Sequence, residues 1–460
     1  MHSDTRRGYV ALILHAHLPF VRHPESRTRL EELWLFEAIT DTYLPLIGLM
    51  QGWIRDGVPF RLTMSVTPTL AAMLGDPLLK RRYVQHLERS IALAHREMAR
   101  YREGRLYALA RMYRDRFERA RRTFVEDLRM DLLAALCELQ DRGLEIMASA
   151  ATHAYLPLLE PGRAAVRAQV RAGVDAFRRA FGRDPKGFWL PECAFRPGHD
   201  EILKDEGIDY AILETHGVLH GTPPPAYGQY APVRSPAGIA FFPRDAETSK
   251  QVWSAHEGYP GDFDYREFYR DAGHDLPWEE VAPFLPWGVR TDTGLKYHRI
   301  TGKTDAKDLY DPERAAAKAR MHAGHFISER SRQIALAAAG MDRRPVVVAP
   351  YDAELFGHWW FEGPAFLDAL VRGAQGSGTG WAFVTPSEYL AENPDLQDVE
   401  VSESSWGYKG YHEVWLDEEN DWIYRHLHEC ARRMEELARR FESASGALER
   451  ALEAGVAELV

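Results

Sequence analysis

Three short stretches of the chain hold residue types that can do chemistry. The first, Leu14-His15-Ala16-His17-Leu18-Pro19, places two imidazoles at i and i+2. Side chains of an extended segment repeat every second residue, so His15 and His17 point the same way and share a site. Such a pair can bind a metal, as in barrel hydrolases with a His-x-His after the first strand, or donate hydrogen bonds into a polar pocket. Two core histidines satisfied by backbone groups are the structural alternative. The second stretch, Gly187-Phe188-Trp189-Leu190-Pro191-Glu192-Cys193, ends a bulky apolar run on a proline break and a carboxylate. A glutamate at such a rim costs desolvation unless it has a task or a partner, and the local partner to weigh is Arg196. The third, Pro350-Tyr351-Asp352-Ala353-Glu354-Leu355-Phe356-Gly357-His358-Trp359-Trp360, sets Asp352, Glu354 and His358 among aromatic rings. Apolar surroundings raise a carboxyl pKa, which a general acid at neutral pH requires. Glu192 and Asp352 together are the two carboxyl groups that glycoside chemistry uses, one to attack the anomeric carbon and one to protonate the leaving oxygen.

Elements must bring these stretches together. Short aliphatic or β-branched runs recur at 9–14, 60–66, 144–148, 187–190, 210–213, 239–242, 345–349 and 381–384, with helical periodicity between most of them. Runs that are apolar throughout, without alternation, belong to strands covered on both faces. Alternation with helices argues parallel βα units, hence a TIM-type barrel or an open doubly wound sheet. The barrel is favoured because His15, His17, Thr67, His153, Glu192, Glu214 and Asp352 all follow strand ends, where barrels carry their sites. Residues 76–142, rich in Leu, Ala, Arg and Glu, read as a helical insertion whose arginine face is solvated. Residues 243–304 read as ordered loops over one end of the barrel. With 1–392 as the catalytic barrel, residues 393–460 form a C-terminal helical domain.

Composition sets the outer limits. The chain has 460 residues, with 57 basic and 68 acidic side chains giving a net charge of −11. That balance disfavours a general binder of nucleic acid or of acidic membranes, because phosphate binding needs net positive surface. Cys137, Cys193 and Cys430 lie far apart, so neither a disulfide framework nor a cysteine zinc site is encoded. The apolar run at 9–14 is too short for a signal sequence, and no other stretch approaches the roughly 20 apolar residues of a membrane span. These features lead us to expect a soluble cytoplasmic enzyme. They leave its oligomeric state open.

Twelve tryptophans and twenty tyrosines suit a flat, partly polar ligand such as a sugar. Tyr259, Trp287 and Trp406 are the stacking candidates. No G-x-G-x-x-G, Walker A, G-x-S-x-G or H-E-x-x-H motif is present, which removes the usual dinucleotide, nucleoside triphosphate, serine-hydrolase and zincin readings.

In the H-A-H-L-P start, the W-L-P-E-C-A segment, the W-S-x-x-x-G-Y-P-G loop with Tyr265-Arg266-Glu267-Phe268-Tyr269-Arg270-Asp271 after it, and P-Y-D-A-E-L-F-G-H-W-W, the sequence resembles glycoside hydrolase family 57. Within the family it resembles the 1,4-α-glucan branching enzymes and their α-amylase-like relatives. The resemblance runs in order from His15 to about Trp422. It implies a (β/α)7 barrel, an incomplete relative of the TIM barrel, and a retaining mechanism with no metal or other cofactor. Glu192 matches the family's nucleophile and Asp352 its general acid/base. His15 and His17 match the pair that hydrogen-bonds the glucose before the cleaved bond. Tyr259 resembles a tyrosine of the mobile loop, and Trp406 a substrate-lining tryptophan. The implied activity is α-1,4 cleavage of amylose or glycogen and transfer to a 6-hydroxyl. Family branching enzymes carry further acceptor-side helices beyond the position matching Val460, so hydrolysis as an α-amylase, or 4-α-glucan transfer, is the alternative outcome. A zinc-dependent hydrolase built on His15, His17 and Asp352 is the alternative from another class.

Overall fold

The computed structural model describes residues 6–26, 29–159, 163–254, 257–375 and 378–441. Among the described residues, nine strands form one sheet: β1 Gly8–Ala16, β2 Leu62–Val66, β3 Leu144–Ser149, β4 Gly187–Trp189, β5 Tyr210–Leu213, β6 Val233–Arg234, β7 Ala240–Pro243, β8 Val346–Asp352 and β9 Trp381–Phe383. Their order is β6-β7-β5-β4-β3-β2-β1-β8, with β9 added to β1, and only the β6–β7 pair is antiparallel. The sheet curls until its ends meet. Arg244, just past β7, bridges Val348 of β8, and the Asp245 N–H donates to the Val348 carbonyl over 2.8 Å. Seven parallel strands therefore form a ring joined through this short contact, the (β/α)7 barrel that the motifs imply.

Two-sided burial explains the unbroken apolar runs. All nine positions of β1 are buried. Tyr9, Ala11 and Ile13 face inward among Trp189, Tyr210 and Phe242, whereas Val10, Leu12 and Leu14 pack outward on the helices. Each fully buried Val, Leu or Ile among them contributes roughly 1.5–3 kcal/mol of burial energy. The same period of two carries the inward row to His15 at the C-terminal mouth. In β8 it delivers Asp352, which pairs with His15 in the β1–β8 register.

Residues 76–142 are mostly helical. Helices Pro77–Tyr101 and Gly104–Arg122 pack as a hairpin, and Leu132–Gln140 leads back to β3. Asp76 caps the first, accepting from the amides of Leu78 and Leu79. The helical stretch Glu32–Arg55, with a π turn at Ile39–Tyr43, is long and apolar enough by composition to cross a membrane, contrary to expectation. Two thirds of its most apolar window, 67%, is buried inside the protein, where Leu35, Phe36, Ile47 and Met50 join the core.

The C-terminal region departs from expectation. Residues 393–420 contain no α-helix; they run as a strap with bridges from Asp398, Glu400 and Ser404 to Arg234, Thr222 and Phe195. Backbone pairing with barrel loops, together with burial of Val399, Val401 and Ser405, wins over helical composition here. The helix begins at Asp421 and runs to Arg440, and residues 442–460 lie outside the described part of the chain.

Candidate active site

A cavity of about 1070 Å3 opens at the C-terminal ends of the strands. Into it project His15 from β1, His17 just after it, His153 after β3, Glu192 after β4, Arg244 after β7 and Asp352 from β8. His358 and Trp406 also line it. Segments distant in sequence thus meet because each leaves a strand at the same end of the barrel.

Glu192 sits in a strained turn. Its φ of 62° is left-handed, as are those of Cys193 (48°) and His153 (58°). For residues with a Cβ each costs roughly 1–2 kcal/mol, and such strain concentrates where a side chain must be aimed. Both carboxylate oxygens of Glu192 are engaged. His153 Nε2 lies 3.0 Å from Oε1, and the Trp406 indole N–H donates to Oε2 over 2.7 Å. An ionised carboxylate only accepts, so His153 carries its proton on Nε2. Burial opposes the charge, but His153 and Trp406 outweigh it and hold the Glu192 pKa below the usual glutamate range.

Asp352 is shifted the other way. Burial, reinforced by the negative charge of Glu192, raises it to about 6, against opposing effects from the Trp253 N–H, His153 and Arg244. Trp253 Nε1 reaches Asp352 Oδ2 at 3.4 Å. One carboxyl in the cavity is held ionised, and the other keeps its proton up to about pH 6.

The imidazoles form a stack beside Glu192. His17 lies on His153 at 3.8 Å between centroids, and His15 lies between Trp189 at 4.6 Å and His153 at 4.9 Å. Burial, then neighbouring imidazoles, drive His17 to about 3 and His15 well below its ordinary value. Both are neutral. His15 Nδ1 is 2.6 Å from Ser65 Oγ, and its Nε2 is buried without a protein partner. His17 Nδ1 is 3.4 Å from Thr67 Oγ1. Among the described residues no group of three His, Cys, Asp or Glu side chains is placed to hold a metal ion. Face-to-face stacking leaves the pair suited to hydrogen bonding with a polar ligand.

Two expected site residues lie outside the cavity. Tyr259 points to helix Pro312–Ala338, its hydroxyl 2.8 Å from His325 Nδ1 and its ring stacked on His322. The cause is Gly258, whose absent Cβ would fall within 2.6–2.9 Å of the carbonyls of Ser254, Gln251 and Lys250. This close packing on the end of helix Ala246–Trp253 turns the tyrosine away from the mouth. Trp287 borders a small crevice with His86, Arg89 and Leu93 of helix Pro77–Tyr101, because the turn Ala282–Phe284 packs on that helix.

Arg244 went unselected in the sequence and proves central. It donates to Glu214 Oε2 over 2.9 Å and to Ser249 Oγ over 2.8 Å, with its guanidinium 5.2 Å from the Trp406 ring. Its position immediately after an apolar strand was the available signal.

A pair of carboxyls in one cavity, one with its pKa lowered and one with it raised, at the mouth of a seven-stranded parallel barrel is the pattern of the glycoside hydrolase class. The family model of glycosyl hydrolase family 57 matches residues 11–402, and the chain belongs to that family. It is 33% identical to a 1,4-alpha-glucan branching enzyme of Thermococcus kodakarensis, over 99% of this chain and 68% of that protein. A probable 1,4-alpha-glucan branching enzyme of Mycobacterium tuberculosis is 30% identical over 89% of this chain and 75% of that protein. Among solved structures, the alpha-amylase AmyC from Thermotoga maritima matches at 40% identity with a TM-score of 0.89, over 95% of this chain and 83% of that one. A branching enzyme from Pyrococcus horikoshii matches at 33% identity with a TM-score of 0.86, over 97% and 82%.

Proposed function

We propose that the protein is a retaining α-glucan-active enzyme that works as a 1,4-α-glucan branching enzyme. The observation that carries this is the opposite displacement of the two carboxyl groups, Glu192 down and Asp352 up, in one cavity. Glu192 attacks the anomeric carbon while Asp352 gives its proton to the departing chain, leaving a β-linked glycosyl-enzyme. Ester formation removes the Glu192 charge that helped raise Asp352, whose carboxyl becomes a stronger acid, hence ionised and ready to serve as base. Asp352 then takes the proton of an acceptor 6-hydroxyl and an α-1,6 branch forms. His15 and His17, neutral at the mouth, hydrogen-bond the glucose whose bond is cleaved. Support for branching comes from relatives named as branching enzymes across nearly the whole chain. Glycogen synthesis in the cytoplasm is the setting we propose, consistent with free Cys137, Cys193 and Cys430.

The 40% match to an alpha-amylase favours a second reading, in which water takes the place of the acceptor hydroxyl. Incubation with amylose followed by a debranching enzyme separates the two. New short chains released only after debranching establish branching; reducing ends without such chains establish hydrolysis.

A further inference from the structure

The loop that carries Asp352 is fastened at three points to a single π turn. Past Asp352 the chain makes a tight turn at Ala353–Leu355 and runs on to His358. Glu354, only 5% exposed, accepts at Oε1 from the His17 N–H over 3.1 Å and also from the Tyr43 hydroxyl. Tyr43 closes the π turn Ile39–Tyr43, and such turns concentrate at functional sites. Gly357, at φ 122°, lies flat on that turn; a Cβ there would fall 1.7 Å from the Asp41 carbonyl. The His358 N–H completes the seam, donating to Thr42 Oγ1 over 3.3 Å.

We infer that Tyr43 and Glu354 are a positioning pair, which fixes the loop bearing Asp352 against His17 so that its proton meets the leaving glycosidic oxygen. The inference rests on Asp352 being the general acid, as proposed above. Burial, with the charge of Asp352 adding to it, raises Glu354 to about 8. Glu354 therefore stays neutral where Asp352 ionises, and it holds the loop without adding a competing charge. A misplacement of about 1 Å can cost about a hundredfold in rate, so this seam bears directly on turnover.

An activated leaving group departs without a proton, which makes the test specific. The readout is kcat/KM on amylose and on α-maltotriosyl fluoride for Tyr43→Phe, Glu354→Ala and Glu354→Gln. On amylose Tyr43→Phe should lose about tenfold and Glu354→Ala about a hundredfold. On the fluoride both should stay within about threefold of wild type, since proton donation is bypassed. Glu354→Gln, which keeps an acceptor for Tyr43 and His17, should recover about tenfold or more of the alanine loss. Equal losses on both substrates would show general loosening and overturn the inference, as would an amylose rate that does not move. Asp352→Asn is the reference: it should fall on amylose and keep the fluoride reaction. If it is inert on both, the acid assignment itself fails, a result distinct from failure of the pair.

Discussion

Trp406 donates its indole N–H to Glu192 Oε2 across 2.7 Å, so a residue 214 positions downstream holds one oxygen of the proposed nucleophile. The backbone repeats the tie, with the Trp406 N–H on the Glu192 carbonyl at 3.0 Å. Trp406→Phe keeps a ring against Trp189 and Arg244 but removes the donor. A hydrogen bond to a charged group is worth about 1.5–3 kcal/mol, and about 1.4 kcal/mol is one pKa unit. In the proposed mechanism Glu192 acts as the anion, and losing a donor raises its pKa. The acidic limb of kcat/KM should therefore move up by about one pH unit. An unmoved limb in the pH–rate profile would show that Trp406 does not hold the nucleophile.

As the proposed general acid, Asp352 must be protonated for the first step, so kcat/KM should fall as pH rises through its pKa of about 6. The Glu192 charge is part of what raises that value. Glu192→Gln, which imitates the uncharged ester, should lower the Asp352 pKa. Titrating the Asp352 carboxyl by 13C NMR in the two proteins measures the difference. A value that rises or stays constant would break the proposed alternation between acid and base.

Much of this was legible before the fold was known, and the reason is periodicity. A two-residue repeat puts His15 and His17 on one face, and Asp352 stands out as an acid at the end of an apolar run, so all three were legible from the runs at 9–14 and 345–349. Glu192 was legible as a charge after a buried strand. Partners across the mouth were not, because adjacency between strand ends is a property of closure. His153 stood out as a polar residue past a strand, yet its bond to Glu192 depends on the β3–β4 pairing. Arg244 gains its importance from the meeting of β7 with β8. The strap at 393–420 misled for a related reason: its helical composition loses to pairing with barrel loops that sequence alone does not place.

A buried carboxyl raised in the folded state weakens the fold once it ionises. Asp352 goes from 3.8 to about 6, so its protonated form is fully compatible with folding below pH 4, and that stability is lost as pH rises through 6. At pH 8 the charge costs about 3 kcal/mol on the folded state. Asp352→Asn avoids the charge and should melt a few degrees higher than wild type at pH 8, the gain shrinking toward pH 4. Calorimetry at the two pH values reads this directly. A variant that melts lower at pH 8 would mean the carboxylate has stabilising partners beyond Trp253, His153 and Arg244.

Trp287 separates the two kinds of evidence. As an aromatic in a loop region it suited a sugar platform, whereas the fold sets it on the insertion beside Leu93, with Phe284 and Leu285 at the same crevice. Packing of a partly buried tryptophan against a helix contributes to stability, and removal of much of the ring should cost about 1–3 kcal/mol. Trp287→Leu is therefore expected to lower the melting temperature while KM for amylose stays within about twofold, because Trp287 lines the crevice and not the cavity, the two meeting at Asp292. Trp406→Phe on the same substrate supplies the contrast through its pH profile. A Trp287→Leu enzyme that melts like wild type but binds amylose about tenfold more weakly, roughly 1.4 kcal/mol, would mean that the glucan reaches past the mouth and onto the insertion.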